Sequence, residues 1–372
     1  TRGEARRLVG DDRLWSAIVE EPIGRHIESS FGNDLVRGVA LTDALIGTFA
    51  PAEDETLSAN RCFLYHVIGN GTGDWDVPVG GMGAVSGALE RAARKAGATI
   101  VTSAEVTAVT ADGEVTYRFG GAEATIAAGT VLAGVAPHVL ERLLNGSSDS
   151  PARPEGAQVK VNLLLKRLPR LRDDAIDPAA AFGGTFHINE TYSQLDRAYG
   201  AAFSGVIPDP LPAEVYCHSL TDPSILSPEL AESGAHTLTV FGLHVPDRLL
   251  TATNNDQMRD RLQQAALDSL NSVLAEPVES LLMTDAAGFP TIETKTTLDL
   301  EHALHMPGGN IFHGPLAWPF AEDDVALATP AERWGVATAH KRILLCGAGA
   351  QRGGGVSGIG GHNAAMAVLE RG

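Results

Sequence analysis

Apolar residues in the first fifty positions recur at helical spacing. Leu14, Trp15, Ile18 and Val19 form one set, and Leu35, Val36, Val39, Leu45, Ile46 and Phe49 continue it after a break at Gly32. This pattern predicts helices that cover a core. Residues 69–79, GNGTGDWDVPV, are dense in turn formers and mark a first boundary. From Gly80 onward, Val85, Ala88, Leu89, Ala92, Ala93 and Ala96 share one face of a predicted helix, with Gly97 as its stop. Residues 98–110 then read as a strand. Asp112-Gly113 makes a hairpin turn into 114–119, Gly120-Gly121 turns again into 122–126, and 130–135 make one more apolar strand.

Beyond Pro137 the period changes to two. Over residues 158–165, Val159, Val161, Leu163 and Leu165 point to one face, and Lys160 and Asn162 to the other. Residues 215–220 and 236–245 look similar. Met258, Leu262, Ala265, Ala266, Leu270, Val273 and Leu274 mark a long amphipathic helix before Pro277. The middle of the chain therefore reads as an antiparallel sheet with helices packed on it. At the C-terminus the continuous apolar run 343–346 suits a strand buried on both faces. It is followed by eight glycines between Gly347 and Gly361 and by the small apolar run 364–369. A backbone so stripped of side chains comes close to something, and the helix behind it aims unpaired N–H groups at an anionic or electron-rich group such as a cofactor.

A chain of 372 residues can bury a sizeable core, as two domains or as one interleaved unit. Its formal charge of −18 opposes nucleic acid and anionic membranes as partners. Cys62, Cys217 and Cys346 lie far apart without a CxxC pair, which predicts no disulfide framework and fits a reducing cytoplasm. No apolar run approaches the ~20 residues of a membrane span. Gly81-Met82-Gly83 opening a helix, with Glu105 near the next strand, has the outline of a nicotinamide-binding loop. The polar stretch before it and Ser86 at the third glycine position favour glycines that allow tight helix packing instead. His302 and His305 share helical spacing but find no third ligand, so no metal site is expected. Neither Ser357 nor Ser86 sits in a GxSxG elbow. Asn310, Phe312 and His313 in PGGNIFHGPL make a polar and aromatic cluster, either a site or a turn with satisfied side chains. Lys160 and Asn162 either line a cavity or form the solvated side of the sheet.

Taken together, VPVGGMGAVSGALERAARKAGATIVTSAEVTAV, PGGNIFHGPL and ILLCGAGAQRGGGVSGIGGHNAA resemble the phytoene-dehydrogenase-related flavoproteins. Within them the resemblance is to the pyridine nucleotide-disulfide oxidoreductase-domain, or NAD(P)/FAD-dependent, oxidoreductases; ALTDALIGTFA and KVNLLLKRLP support it. It implies a mixed α/β fold: a glutathione-reductase-like FAD domain assembled from separated segments, with an inserted antiparallel-sheet and helix substrate domain. The implied division is 1–77 for a helical part of the substrate or cap domain, 78–137 for an FAD-domain segment, 138–305 for the substrate domain and 306–372 for the return to the FAD domain. The implied activity is FAD-dependent removal of a hydride from a C–C or C–N bond of an apolar or amphipathic small molecule.

On that resemblance the Val106 backbone faces the adenine. Gly347, Gly354, Gly355, Val356, Ser357, Gly358, Gly360 and Asn363 lie along the flavin, whose reduction builds negative charge that oriented N–H groups stabilise. Lys160, Asn162, Asn310 and His313 are the implied cavity residues, and no catalytic side chain is assigned. Members of the family open with a strand and a GxGxxG loop, which this sequence lacks. The expectation is therefore that Thr1 lies roughly 100 or more residues into a parent protein. The chain alone should then hold FAD weakly or not at all, with the missing N-terminal segment as a partner and an exposed sheet edge favouring homo-oligomers. Gln351-Arg352 also replaces the His-Pro pair often found in relatives. The alternatives are an NAD(P)-binding dehydrogenase using the Gly81 loop and a non-catalytic binding or scaffold protein on the same fold.

Overall fold

The computed structural model describes residues 1–67, 76–146, 153–352 and 357–371. Its strands in chain order are β1 (Glu105–Val109), β2 (Glu114–Phe119), β3 (Ala122–Ala127), β4 (Val131–Ala133), β5 (Val159–Leu165), β6 (Phe186–Ile188), β7 (Ala213–Tyr216), β8 (His236–Gly242), β9 (Ile292–Lys295) and β10 (Ile343–Leu345). The stretch with period two builds the larger sheet, antiparallel in the order β6-β7-β8-β5-β9. Val159, Val161, Leu163 and Leu165 are buried on one face with Val215, Leu238 and Val240. Over them lies helix Asn255–Val273, whose Leu262, Ala266, Leu267 and Leu270 complete the core. The predicted pairing of an alternating sheet with one long amphipathic helix is what forms.

The opposite face is polar, and its register is continuous. His187 lies opposite Glu214, Glu214 opposite Phe241, Phe241 opposite Lys160, and Lys160 opposite Lys295, so one row crosses all five strands. A second row on the same face is Tyr216, Thr239, Asn162 and Glu293. Helices Ile23–Ser30, Asp34–Thr42 and Tyr192–Phe203 cover the β6–β8 part of this face. Their Ile23, Ile27, Leu41 and Leu195 form a cluster with Leu243, and Phe241 packs against it. Contact between two of these helices needs a glycine, because a Cβ on Gly38 would stand 1.8 Å from the carbonyl oxygen of Glu190.

The remaining segments form a second body. β1, β2 and β3 make an antiparallel meander, and β10 pairs in parallel with β4, Leu344 facing Leu132. Val109, Ala133, Leu140 and Ile343 share one small core; Leu344 and Val336 share another with Ala364 and Ala367 of helix Ile359–Leu369. Three expectations need revision. The strand over 98–110 forms only from Glu105, because the residues before it have no ladder partner among the described residues. The strand over 215–220 stops at Tyr216 and continues as helix His218–Thr221, where the Ser219 hydroxyl takes the Thr237 N–H at 3.0 Å in place of a ladder carbonyl. Helix Gly81–Lys95 forms as predicted but buries no residue, and Leu89 on its apolar face is 67% exposed. The boundary at 69–79 lies largely on residues 68–75, outside the described ones.

Two glycine substitutions test this packing. Gly38→Ala is expected to cost about 2 kcal/mol or more, since its Cβ meets backbone that cannot step aside. Gly83→Ala, with nothing within 4 Å of the added Cβ, is expected to gain about 0.5–1 kcal/mol from helix propensity. Urea unfolding of both variants checks the pair; equal effects would contradict the helix contact at Gly38.

Candidate functional site

Strands β4 and β10 end side by side, with the Cys346 N–H donating to the Ala133 carbonyl at 2.9 Å. The chain leaves both strands at one edge, through Gly134 and Gly347. A Cβ on Gly347 would lie 2.5 Å from the Gly134 oxygen, and a Cβ on Gly360 would lie 2.4 Å from the Gly347 oxygen. Strand end, loop and first helical turn are thus in direct backbone contact, and no side chain fits between them. Helix Ile359–Leu369 starts at Gly358, which is left-handed with φ 70 and offers no side-chain cap. Its positive end therefore lies at the carboxyl edge of a parallel strand pair, the edge at which α/β sheets bind ligands.

The other residues expected here have distinct places. The Ser357 hydroxyl accepts from the Ile359 N–H at 3.3 Å. Asn363 is buried and donates to the Trp334 carbonyl at 3.1 Å, fixing the helix to the segment before β10. Gly354, Gly355 and Val356 lie outside the described residues. Val106 sits on β1, the open edge of the meander, opposite Tyr117 beside a bulge; its strand joins the parallel pair through Val109 in their common core.

The PGGNIFHGPL segment connects this edge to the large sheet. The Gly156 N–H donates to the Gly308 carbonyl at 2.9 Å, and Gln158 Nε2 donates to the Gly309 carbonyl at 2.8 Å. Asn310 is buried and spends its amide on the loop: Nδ2 donates to the Glu155 carbonyl at 3.0 Å, while Oδ1 accepts from the N–H groups of Phe312 and Gly314 at 3.0 and 3.3 Å. His313 holds an unusual φ of 64, and its buried Nδ1 has no hydrogen-bond partner. Burial lowers its pKa, so the ring is neutral. A Cβ on Gly349 would lie 3.6 Å from His313 Cβ, which places this histidine against the C-terminal loop.

Lys160 and Asn162 follow Gln158 on the polar face of β5. Asn162 donates to Glu293 at 3.3 Å and accepts from Thr239 at 3.0 Å, and Lys160 is exposed. An open cleft of about 580 Å³ passes Asn162, Thr239, His218 and Glu293. At the Gly81 loop, the Gly80 N–H donates to Asp222 Oδ2 at 2.7 Å, so a carboxylate stands where a dinucleotide phosphate would bind.

The covered end of the polar row holds a group that the sequence reading passed over. His187 Nδ1 lies 2.6 Å from Glu190 Oε2, and the Tyr216 hydroxyl donates to Glu214. Thr42, on the overlying helix, donates its hydroxyl to the Val39 carbonyl at 2.8 Å and lies close enough to Glu214 to influence it. Burial raises the Glu190 carboxyl well above its ordinary range, and burial together with the Glu190 charge pushes Glu214 up to about 7. Glu214 was detectable only as an acid within the apolar run AEVYC, and His187 and Glu190 lie more than twenty residues before it.

This shift fixes a pH dependence. A carboxyl whose folded pKa is raised contributes stability that is complete below its unfolded pKa and is lost as pH rises through the folded one. In chelator-treated protein, stability is expected to fall between pH 4.5 and about 7, the interval separating the two Glu214 values. The loss should be up to about 3 kcal/mol. Glu214→Gln should flatten the profile in urea melts at stepped pH, and a wild-type rise over that interval would refute the assignment.

No protein-family model matches the chain. Over 378 residues it is 57% identical to uncharacterized proteins of Mycobacterium tuberculosis and Mycobacterium bovis, an overlap of 99% of this chain and 70% of theirs. Over 382 residues it is 28% identical to pyridine nucleotide-disulfide oxidoreductase domain-containing protein 2 of Mus musculus, covering 95% of this chain and 61% of that protein. Among solved structures, an oxidoreductase from Methanosarcina mazei matches with a TM-score of 0.53 at 14% identity, over 96% of this chain and 70% of that one, which indicates a shared mixed α/β fold. The chain belongs to the family of the mycobacterial proteins, and the murine oxidoreductase-domain protein is a more distant homologue.

Proposed function

We propose that this chain is the larger part of an FAD-dependent oxidoreductase that takes a hydride from a C–C or C–N bond of an apolar or amphipathic small molecule, as phytoene-dehydrogenase-like enzymes do. The observation that carries the reading is the backbone contact of Gly134, Gly347 and Gly360, which brings a helix N-terminus with glycine at its cap position to the carboxyl edge of β4 and β10. The names of the murine homologue and of the archaeal structural neighbour support the reaction class. In a glutathione-reductase-like arrangement, residues 78–137 and 306–372 would form the cofactor domain, 138–305 the substrate domain and 1–77 its helical cover.

The residues at this edge fit the flavin end of FAD. Bare backbone at Gly347, Gly358 and Gly360, with the small Ser357 between them, lets a flat ring system approach, and the N–H groups of the first helical turn suit the negative charge that reduction builds. When bound, the flavin supplies the hydride acceptor. The chain's own part is positioning and exclusion of water. Asn162 and Thr239 on the polar sheet face offer hydrogen bonds to a substrate, Lys160 offers charge, and neutral His313 offers an unpaired Nδ1 between the sheet and the loop.

The phosphate end is a different matter, because no GxGxxG loop directly follows a strand in this sequence: GGGVSG at 353–358 has the spacing but begins eight residues beyond Leu345, the end of β10. The uncovered apolar face of helix Gly81–Lys95 and the exposed Val101 and Leu132 make a seat for further strands. We assign that seat to an N-terminal segment carrying the phosphate loop, consistent with mycobacterial relatives of which this chain spans 70%.

The full-length Mycobacterium tuberculosis relative is expected to purify with flavin absorbance, or to acquire it with added FAD. The 372 residues alone are expected to show no saturable FAD binding at micromolar concentrations. A full-length protein that never acquires flavin overturns the reading. Tight FAD binding by the isolated chain overturns only the assignment of the phosphate loop to another segment.

A further inference from the structure

The cluster at the covered end of the polar row has an unusual charge balance. Glu190 and Glu214 are 2% and 1% exposed, in adjacent positions under the helical layer, and among the described residues His187 is the one basic group that is their direct partner. One ligand atom from each of the three lies within 4.8 Å of the other two. Glu190 Oε1 is buried with no hydrogen-bond partner, whereas its Oε2 meets His187. A carboxylate oxygen left in that condition costs more than a hydrogen bond is worth, and a second carboxylate beside it adds to the cost. Asp43 lies near enough to be influenced by His187 and adds acid rather than base to the surroundings.

From this geometry we propose that His187, Glu190 and Glu214 form a buried binding site for a divalent transition-metal cation of the Zn²⁺ or Mn²⁺ type. One imidazole and two carboxylates are an intermediate donor set suited to these ions rather than to Ca²⁺. A dication balances the two carboxylates with the histidine neutral, and it supplies the partner that Glu190 Oε1 lacks. Binding exchanges the contact between His187 Nδ1 and Glu190 for coordination, so the proton held between them is released to solvent, along with any proton on Glu214. The Tyr216 hydroxyl orients Glu214 from outside the ligand set. The ligands come from β6, β7 and the turn that leads into helix Tyr192–Phe203, so the ion would fasten the start of that covering helix to the sheet edge. The proposal is independent of whether the chain holds FAD.

The test is metal analysis of the purified chain by mass spectrometry, after dialysis against Zn²⁺ or Mn²⁺ and then buffer. Thermal melts with and without EDTA accompany it. Wild type is expected to retain about one equivalent and to melt lower in EDTA. Glu190→Gln and the double variant Glu190→Gln/Glu214→Gln should lose affinity by about tenfold or more. In EDTA, Glu190→Gln should melt no lower than wild type, because it removes a buried carboxyl whose Oε1 finds no partner there; a purely structural role for the carboxylate would lower it. Wild type with less than about a tenth of an equivalent and no response to EDTA or added ion overturns the proposal even if the variants fail to fold. Equal metal retention by wild type and double variant also overturns it, since the ion then sits elsewhere.

Discussion

The arrangement of this molecule depends on one backbone-to-backbone joint, where residues 154–158 meet the loop at 307–310. A Cβ on Gly156 would lie 2.6 Å from the carbonyl oxygens of both Gly308 and Gly309, and a Cβ on Gly309 would lie 2.4 Å from the Thr297 Cα. Gly308 and Gly309 hold φ values of 61 and 62, so any side chain there is excluded twice, by contact and by conformation. Around the joint, Arg153 pairs with Asp247 at 2.8 Å and with Glu301, and Asp247 accepts from the Thr297 hydroxyl at 3.0 Å. Arg153 is half-exposed, so its ion pairs add little; the close backbone approach sets the geometry. It fixes the start of β5 relative to His313, and His313 relative to the C-terminal glycines.

That joint gives the two faces of the large sheet different tasks. The inner face is largely apolar, and the 3.6-residue stripe of helix Asn255–Val273 closes it, with Thr294 bonded to Gln263 of that helix. The outer face carries titratable side chains in every strand except β8, which presents Thr237, Thr239 and Phe241, and it is covered only over β6 to β8. Where the cover ends, Lys160 and Glu293 remain in water and keep ordinary hydration. Where it persists, Glu190 and Glu214 lose theirs, and their pKa values rise because burial disfavours the charged form. One alternating pattern thus yields an open polar cleft at one end and a dry, electrostatically costly cluster at the other. The helical cover decides which is which.

The readable part of this fold was the part with short-range causes. The alternation over 158–165, the stripe from Met258 to Val273 and the two glycine turns of the meander each specify an element without outside help, and each appears at its expected place within a few residues. The run 343–346 likewise announced a strand, and the glycines after it announced close backbone approach, met at Gly347 and Gly360. What could not be read depends on partners distant in sequence. Among the described residues, 98–104 look like a strand but have no neighbour to pair with, and the stripe on helix Gly81–Lys95 looks buried but is left uncovered. The cluster of His187, Glu190 and Glu214 was invisible because neither its burial nor its proximity is a property of the local sequence. Asn310 drew notice as a polar residue in a glycine-rich loop, and its amide bonds the loop itself.

The two bodies are unequal in a way that bears on cofactor binding. The five-stranded sheet is closed on its apolar face and packs a contiguous core of more than twenty side chains, so its stability does not wait for a ligand. The other body rests on a parallel pair of only two strands, although parallel sheets are normally covered on both faces. Its cores are small, and Leu89, Val101 and Leu132 remain in water. Apolar surface of this kind favours whatever covers it, by roughly 25 cal/mol for each Å² removed from solvent. Strands laid against β4 or helix Gly81–Lys95 would therefore gain burial before any phosphate contact was made. On the proposed reading, completion of the sheet and creation of a dinucleotide site would be one event, with the backbone contact at Gly347 and Gly360 already formed.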